Sequence, residues 1–495
     1  MCQRSACRSI AGSVLGLLCS CGDNGRDDPF AGSAGDPSGS FTDSGGPGSA
    51  DSGRSTGGDE SGPSTGNATE GGPGVTAGSG ATSEGNVDEA GATTGVEDST
   101  SAPDTDGVKF DAPSGGTVSS GDDGDGSCGC NNTNWSYVWV ANSGEGTVSK
   151  INTRTLVEEG RYITRPDRAG NPSRTSVSID GKAVVVANRH VGIVKIWARP
   201  EFCVGGNTST GKADVKPWGT DDCVAWFADF PDKTVQRPVQ WSPGVLNPAT
   251  CEYEHQKVWT TTGALGNGPG KCGESGVWVH RLNGDTGEVE NELRIPEAEF
   301  ACDSSGIAIG YGPYGGAIDA YGNFWFQGSG NQKLVRIDFD SFDYEIFNGG
   351  GYGITVDTKG RVWTNFVSRF DYATTTWTSG GGLGGNGGIA QDLGGRMWAA
   401  GDSANFNPDG TVFWIDMETM AHGHTVMLPT GGQVKGVSVD IDGYVWAVAE
   451  GDSRAYKIDP HTYALEWYEG LNGPYTYSDM TGGQISNVLC NPPEG

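Results

Sequence analysis

A unit of about 40 residues recurs in the second half of the chain, and it limits the fold more than any other feature. Each copy contains an Asp-x-x-Gly turn followed three residues later by a tryptophan. The steps between these tryptophans, 325 to 363, 363 to 398 and 398 to 446, are 38, 35 and 48 residues. Repeats of this length are typical of β-propellers, in which each repeat forms one four-stranded blade.

One copy shows the whole unit. Between Gly312 and Asn348, four short strands are separated by turn residues: Gly315 to Asp319, Asn323 to Gln327, Leu334 to Asp338 and Asp343 to Phe347. A four-stranded meander of this size cannot bury both of its faces alone, so it requires neighbours of the same kind. The turn Asp319 to Gly322 also has a mechanism, because Asp caps the turn and Gly supplies a positive φ. We interpret the tryptophan as packing between blades rather than as a ligand-binding residue.

The remaining sequence accommodates seven blades in an all-β fold. The first blade, from Tyr137 to Ile163, has three predicted strands and lacks an inner one, whereas Gly482 to Val488 reads as an inner strand with no strand after it. The two observations complement each other. We therefore predict a seven-bladed β-propeller, spanning residues 128–495, that is closed by a C-terminal strand and has no free sheet edge at the seam.

The first 20 residues resemble a secretory signal peptide. Arg4 and Arg8 provide the positive charge, and Ile10 to Leu18 form a short apolar core. Leu18-Cys19-Ser20-Cys21 resembles a bacterial lipobox, which implies lipid attachment to Cys21. The alternative is an ordinary cleaved signal peptide without a lipid.

Residues 21–127 are predicted to form a disordered, acidic tether. From Gly22 to Ser127 the segment is almost entirely Gly, Ser, Thr, Asp, Glu, Ala and Pro, and such a composition cannot bury enough apolar area to offset the entropy cost of folding. A flexible chain of this length spans roughly 55 to 60 Å. The net charge of −30 argues against nucleic acid as a partner. We expect a monomer, exported and anchored by lipid at the bacterial cell envelope.

Eight cysteines follow the leader, and an even number in an exported chain indicates disulfides. They are Cys128, Cys130, Cys203, Cys223, Cys251, Cys272, Cys302 and Cys490. We predict the local pairs Cys203 with Cys223 and Cys251 with Cys272. Cys490 is expected to pair with Cys128 or Cys130, which leaves Cys302 for the other. The spacing does not favour zinc.

The repeats resemble a known family. Gly312-Pro313-Tyr314-Gly315, the Asp-x-x-Gly-x-x-Trp core and Leu334 to Asp338 are similar to the streptogramin B lyase (virginiamycin B lyase) propellers and to the related NHL and YVTN repeats. The resemblance implies a propeller fold. For an active lyase it also implies a His in a Pro-His-Gly motif ahead of an inner strand, acting with a second His and with Mg²⁺ held by Glu side chains to open a cyclic ester by elimination.

None of the positions that match this catalytic His is a histidine here. Five residues before the turn position, the blades carry Thr175, Arg237, Tyr314, Tyr352, Gly387 and Lys435. The six histidines are expected on outer strands or loops, with surface roles: His190, His255, His280, His422, His424 and His461. Without a titrating group at these positions, a lyase-like activity is the alternative rather than the first hypothesis.

We predict instead that Arg237, Tyr314, Tyr352 and Lys435 line one mouth of the central channel and bind a ligand. Two aromatic faces and two cations suit a small anionic molecule, a glycan or a peptide. The alternative is that these side chains only plug the channel. No cofactor or metal is predicted, because Asp440 to Gly443 and Asp122 to Gly126 lack the ligands of an EF-hand loop. The sequence thus favours a cell-surface ligand-binding or scaffold module.

Overall fold

The computed structural model describes residues 136–247, 249–250, 252–263, 276–300, 313–328, 332–380, 384–385, 387–402 and 407–490. All of them lie within the unit Gly107–Gly495. The predicted leader, the tether, Cys21, Cys128 and Cys130 lie outside the described residues, as do Cys251, Cys272 and Cys302. No helix in the described part of the chain is long and apolar enough to cross a membrane.

The described residues form seven antiparallel sheets of three or more strands, one for each predicted blade. In chain order the strands are β1 Tyr137–Asn142, β2 Thr147–Asn152, β3 Glu158–Ile163, β4 Pro172–Val177, β5 Ala183–Asn188, β6 Ile193–Trp197, β7 Val224–Ala228, β8 Val235–Ser242, β9 Val245–Asn247, β10 Glu252–Glu254, β11 Lys257–Gly263, β12 Val277–Asn283, β13 Val289–Ile295, β14 Pro313–Ile318, β15 Phe324–Gly328, β16 Lys333–Ile337, β17 Tyr344–Asn348, β18 Ile354–Val356, β19 Val362–Thr364, β20 Ser368–Asp371, β21 Thr376–Ser379, β22 Ile389–Gln391, β23 Arg396–Asp402, β24 Asn407–Asp416, β25 His422–Met427, β26 Val434–Val439, β27 Val445–Ala449, β28 Arg454–Ile458, β29 Leu465–Glu469 and β30 Tyr477–Ser478. A single α-helix, α1, covers Gly483–Cys490.

Blade one contains β1 to β3, blade two β4 to β7, and blade three β8 and β11 to β13, with the hairpin β9–β10 inserted after its inner strand. Blades four to seven take four consecutive strands each, from β14 to β29. The inner strands of successive blades contact one another around the ring. The predicted seven-bladed propeller is confirmed.

The chain end closes the ring, but through a different segment from the one predicted. Residues 474–480 run beside β1: the Tyr475 amide donates to the Ala141 carbonyl at 3.1 Å, and the Trp139 amide donates to the Met480 carbonyl at 2.8 Å. On its other side, β30 pairs in parallel with β4. This segment supplies the inner strand that blade one lacks.

The predicted strand Gly482 to Val488 is wrong, because these residues belong to helix α1. The Asp479 side chain accepts a hydrogen bond from the Gly482 amide at 2.8 Å, as a helix-capping side chain does. Ile485, only 2% exposed, packs into the apolar cluster that contains Ile179 and Val239 of blades two and three. Ile485, one of the apolar residues that suggested a strand, is therefore on the buried side of a short helix.

The repeated Asp and Trp side chains are joined in the last four blades. The carboxylate accepts backbone N–H groups two and four residues later, and its second oxygen accepts the indole N–H of the tryptophan. The four indole bonds are 2.8 to 2.9 Å long and join Trp325 to Asp319, Trp363 to Asp357, Trp398 to Asp392 and Trp446 to Asp440. The turn glycines have φ between +74° and +87°, as predicted.

The tryptophans pack between blades, as predicted. Trp325 of blade four lies in an apolar cluster with Ile354 and Phe370 of blade five, and Trp446 of blade seven lies against Val138 and Val140 of blade one. The same carboxylate accepts hydrogen bonds from the turn backbone and from the tryptophan indole. Each Asp therefore fixes both the strand register of its own blade and the position of the tryptophan that packs against the next blade.

Blade three differs from the last four blades, because Ser242 stands where they carry the turn aspartate. Trp259 is fully buried at the corresponding position, and its indole nitrogen has no hydrogen-bond partner in the described part of the chain. A serine hydroxyl is too short to reach the indole as an aspartate does. Blade three thus lacks the hydrogen bond between aspartate and tryptophan that the last four blades share.

The predicted disulfide Cys203–Cys223 is present. It closes the insertion between β6 and β7, which packs on blade one through a hydrogen bond from the Arg161 amide to the Ser209 hydroxyl at 3.0 Å. Cys490 is the last residue of α1, and its side chain lies outside the described atoms. Its pairing, like that of the other cysteines, stays a prediction.

Candidate functional site

The antiparallel meander determines where the predicted site residues lie. Inner strands of successive blades all run in the same direction along the channel, so their first residues meet at one face of the ring, which we call the entry face. Tyr314 and Arg237 lie early in β14 and β8, Lys435 lies early in β26, and Tyr352 lies two residues before β18. These four residues are therefore drawn to one end of the channel.

The structure brings all four together. The ring centres of Tyr314 and Tyr352 are 4.6 Å apart. The Arg237 guanidinium carbon lies 4.9 Å from the Tyr314 ring centre, and the Lys435 ammonium nitrogen lies 5.1 Å from that of Tyr352. Both arrangements are cation–π contacts. That the four residues bind a ligand stays a prediction.

Two further tyrosines from the closing segment complete a cluster of four phenols, Tyr314, Tyr352, Tyr475 and Tyr477, which we call the tyrosine cluster. The Tyr314 hydroxyl lies 2.5 Å from that of Tyr352 and 2.7 Å from that of Tyr475. The Tyr477 hydroxyl donates to that of Tyr352 and lies 3.2 Å from that of Tyr475. The phenols thus share a single hydrogen-bond network across the channel.

Two arginines that the sequence analysis did not single out also belong to the site. The Arg189 guanidinium carbon stacks 3.8 Å from the Tyr475 ring centre. The Arg174 guanidinium carbon lies 3.9 Å from the Tyr477 ring centre, and its Nε donates to the Tyr314 carbonyl at 3.1 Å. No described carboxylate lies within ion-pair distance of either guanidinium. Lys435, in contrast, has a Glu450 oxygen 3.8 Å away.

The count from the turn missed Arg174 because the turn of blade two differs from those of the later blades. In blade four the Asp319 amide donates to the Asn323 carbonyl, whereas the matching bond in blade two runs from Ser178 to Ala183. Ser178, not Asp180, therefore takes the turn position. The position that matches Tyr314 in blade two is then Ser173 instead of Thr175, and Arg174 corresponds to Gly315.

The burial of the cluster has two levels. Tyr314 and Tyr477 are each only 3% exposed, whereas Tyr352 and Tyr475 are partly exposed at the entry face. Below them lies a small cavity of about 10 Å³, with room for about one water molecule. The tyrosine cluster thus has one buried pair of rings and one partly exposed pair.

Charges around the cluster favour ionisation of one phenol. Burial opposes ionisation of Tyr314, but the guanidinium groups of Arg237 and Arg174, with hydrogen bonds from Tyr352 and Tyr475, outweigh it and lower the pKa of Tyr314 to about 7. Burial, together with the charge on Tyr314, raises the pKa values of Tyr352, Tyr475 and Tyr477. Burial and neighbouring Arg237 lower the pKa of Arg189.

The lowered pKa of Tyr314 can be measured by optical titration. We expect one tyrosine to ionise near pH 7 in the folded protein, seen as a rise in phenolate absorbance near about 295 nm well below the ordinary phenol pKa of about 10. Because the folded pKa lies below the unfolded one, this group's contribution to stability is complete above pH ~10 and is lost as the pH falls through about 7. Tyr314→Phe should remove the early step, and Tyr372→Phe, at an exposed outer position, should keep it. An early step that persists in Tyr314→Phe would contradict the assignment.

The histidines do not reach this site. The matched positions carry no histidine, and the structure buries His280 in β12, 0% exposed, where its Nε2 lies 2.7 Å from the Thr262 hydroxyl. The surface role predicted for His280 is therefore wrong. Burial lowers the pKa of His280 to about 4, so the ring is neutral in blade three.

The described residues contain no group of His, Cys, Asp or Glu side chains arranged to hold a metal ion. Of the two acidic loops compared with an EF-hand loop, the structure describes Asp440 to Gly443. The Asp440 carboxylate accepts hydrogen bonds from the Tyr444 amide and the Trp446 indole. Asp442 pairs with Arg154 at 2.7 Å. Both carboxylates thus have structural partners.

No protein-family model matches the chain, and no curated protein matches its sequence. Among solved structures, a catalytically inactive virginiamycin B lyase from Staphylococcus aureus with quinupristin is 15% identical, with a TM-score of 0.40, over 60% of this chain and 84% of that chain. A functionally unknown protein from Desulfotomaculum acetoxidans is 14% identical, with a TM-score of 0.45, over 68% of this chain and 97% of that chain. Streptogramin B lyases are thus among the structural neighbours, and the propeller fold that the resemblance implied is present in the described sheets. Similarity at this level does not extend to activity.

Proposed function

We propose that this propeller is a ligand-binding module that recognises an anionic group, of the carboxylate type, at the entry face of its channel. The observation that carries the proposal is the state of Arg189. Its Nε and Nη2 atoms are both buried, and neither has a hydrogen-bond acceptor among the described residues. Leaving buried donors of a charged group unsatisfied is costly, so such a pair of donors in a native protein calls for a partner.

The geometry of the two donors specifies the class of partner. Nε and Nη2 form one edge of the planar guanidinium, and their N–H bonds are parallel. This edge matches the two oxygens of a carboxylate, which accepts both hydrogen bonds at once. The aromatic face of Tyr475 lies 3.8 Å below the guanidinium carbon and holds its plane in place.

The wider charge distribution supports an anion at this point. The chain carries 62 acidic and 32 basic residues, so most of its surface repels anions. At the entry face, however, burial and the charge of nearby Arg237 lower the pKa of Arg189. A bound anion relieves this repulsion. The partly exposed rings of Tyr352 and Tyr475 supply flat apolar surface for the remainder of the ligand, whether a glycan, a peptide or a small molecule.

Titration calorimetry with a panel of carboxylates and their methyl esters tests the proposal. We expect the acids to bind and the esters to bind much more weakly. Arg189→Gln should weaken binding of a carboxylate by about 30-fold or more, because removing one partner of a desolvated charge pair costs at least about 2 kcal/mol. Arg189→Lys should restore only part of the affinity, because an ammonium group cannot form the bidentate pair.

Arg281→Gln is the matched control. Arg281 also stacks on an aromatic ring, 5.3 Å from the centre of Trp259, but it lies on an outer strand away from the channel. This variant should bind like the unaltered protein. Equal loss of affinity in both variants, or equal binding of acids and esters, would refute the proposal.

The same preparation distinguishes the lyase-like alternative. A lyase would consume a cyclic ester of the streptogramin B type in the presence of Mg²⁺, and Arg189→Gln would change turnover and not only binding. Binding of carboxylates without any turnover supports the binding module.

We further propose that the propeller works as a monomer outside the cell, anchored by lipid at Cys21 and held away from the membrane by residues 21–127. The composition of that segment and the lipobox-like Leu18 to Cys21 support this location. Incorporation of labelled palmitate that is lost in Cys21→Ser would test the anchor.

A further inference from the structure

The axis of the propeller is lined by residues without side chains. Four inner strands place a glycine four residues before the turn Asp: Gly315, Gly353, Gly388 and Gly436. Three of these, in blades four to six, line the small cavity beneath the tyrosine cluster. At the fourth, Gly436, a Cβ atom would lie 2.9 Å from the Met480 sulfur, so Met480 already occupies that side. At Gly353 and Gly388 a Cβ atom would lie 2.3 Å from the Gly387 carbonyl oxygen and 2.5 Å from the Val437 amide nitrogen, so glycine lets neighbouring inner strands approach closely around the cavity.

Blade two breaks this ring of glycines. Arg174 holds the position that glycine holds in blades four to seven, and its side chain crosses the channel to reach the Tyr314 carbonyl of blade four. Arg174 is 0% exposed. Its Nε and Nη1 donate to backbone carbonyls, of Tyr314 at 3.1 Å and of Ser173 at 3.0 Å, and Tyr477 covers its face. Arg174 also lines the cavity, and its Nη2 has no hydrogen-bond partner in the described part of the chain.

A buried guanidinium in this setting lacks a carboxylate counter-charge, and below pH 7 the protonated Tyr314 phenol does not supply one either. Its two neutral acceptors satisfy hydrogen bonds but do not balance a full positive charge, and no described carboxylate lies within ion-pair distance. Arg237, close to the same phenol, adds a second cation. Burial of an uncompensated charge costs several kcal/mol, and a small negative ion beside Arg174 would offset this cost, which a neutral water molecule cannot do.

We propose that the axial cavity is a binding site for a single small anion of the halide class, held by Arg174 beneath the tyrosine cluster. The volume of about 10 Å³ admits a particle the size of one water molecule and excludes sulfate, phosphate and carboxylates. The site is thus distinct from the one at Arg189, and it does not depend on the proposed function. An anion here would fix the Arg174 side chain, and through it the buried Tyr314 and Tyr477 rings.

Crystals of the protein soaked in sodium bromide at pH 6 provide the direct test. At this pH the Tyr314 phenol is protonated and does not itself offset the charge of Arg174. We expect an anomalous bromide peak within hydrogen-bond distance of Arg174 Nη2. A cavity that contains only water, or nothing, at saturating bromide would overturn the proposal.

A solution measurement supports the diffraction test. The melting temperature should rise with the logarithm of chloride concentration when chloride replaces gluconate at constant ionic strength, because an ion that binds only the folded state stabilises it by mass action. Arg174→Gln should abolish both this chloride dependence and the bromide peak. Arg189→Gln should keep both, because Arg189 belongs to the outer site.

If Arg174→Gln does not fold, the crystal of the unaltered protein still decides the question. A bromide peak with no chloride dependence of the melting temperature would also count against a functional anion site, since the ion would then contribute nothing to the folded state.

Discussion

Replacing Asp357 with alanine is expected to lower the free energy of unfolding by about 3 to 5 kcal/mol, because it leaves several buried donors without an acceptor. Asp357 is fully buried and accepts hydrogen bonds from the Lys359 and Arg361 amides, the Arg361 guanidinium at 2.7 Å and the Trp363 indole at 2.8 Å. A loss of this size corresponds to a fall in melting temperature of roughly 10 °C. Thermal unfolding followed by circular dichroism would measure it.

Asp416→Ala provides the matched control. Asp416 also caps a turn, accepting hydrogen bonds from the amides of Glu418 and Thr419, but it bonds no indole and lies toward solvent. Water can replace its partners, so the melting temperature should change little. Similar losses in the two variants would show that turn capping, not the buried bond to tryptophan, stabilises the blades.

A chain that ends at Leu471 is expected to lose cooperative unfolding. The deletion removes residues 474–480, which bond β1 through Ala141 and Trp139 and pair with β4 through β30. Without this segment, β1 becomes an unpaired edge strand and the ring is not closed. Amide exchange should then be fast at Trp139, which otherwise donates to the Met480 carbonyl. Two phenols of the tyrosine cluster are lost in the same deletion.

Two longer chains separate the closing strand from the helix. A chain ending at Thr481 keeps the strand but loses α1, so it should form the ring with lower stability, because Ile485 no longer fills its place beside Val239. A chain ending at Cys490 should unfold like the full protein. Cooperative unfolding of the chain ending at Leu471 at the same temperature as the full protein would show that the ring closes without residues 474–480.

The wide separation of the site residues in the chain has a consequence for folding. The phenols of Tyr314 and Tyr475 are 161 residues apart, and they meet only when blade one is completed. Long-range pairing of this kind forms late, because loop closure must precede the contacts that stabilise it. Closure of the ring and assembly of the site are therefore the same event.

Much of the site was predictable because the blades repeat. Tyr314, Tyr352, Arg237 and Lys435 were found by counting from the turn, and the structure places them together because equal positions in successive inner strands meet at one face. The count failed in blade two, where Ser178 rather than Asp180 takes the turn position, so the matching position is Ser173 and not Thr175. It also missed Tyr475, since the closing strand lies before the segment that we expected.

The sequence by itself determined the blade and the number of blades. Period-two alternation, the Asp-x-x-Gly turn and the recurring tryptophan act over a few residues, so their effect does not depend on distant parts of the chain. Only the tertiary structure decided which C-terminal residues complete blade one and which cations meet over the phenols. The sequence from Gly482 to Val488 is compatible with either a strand or a helix. The helix forms because it buries Ile485 against blades two and three. Arg174 and Arg189 belong to the site because the closed ring places blade two in contact with blade four and with the chain end. No local sequence pattern predicts these contacts.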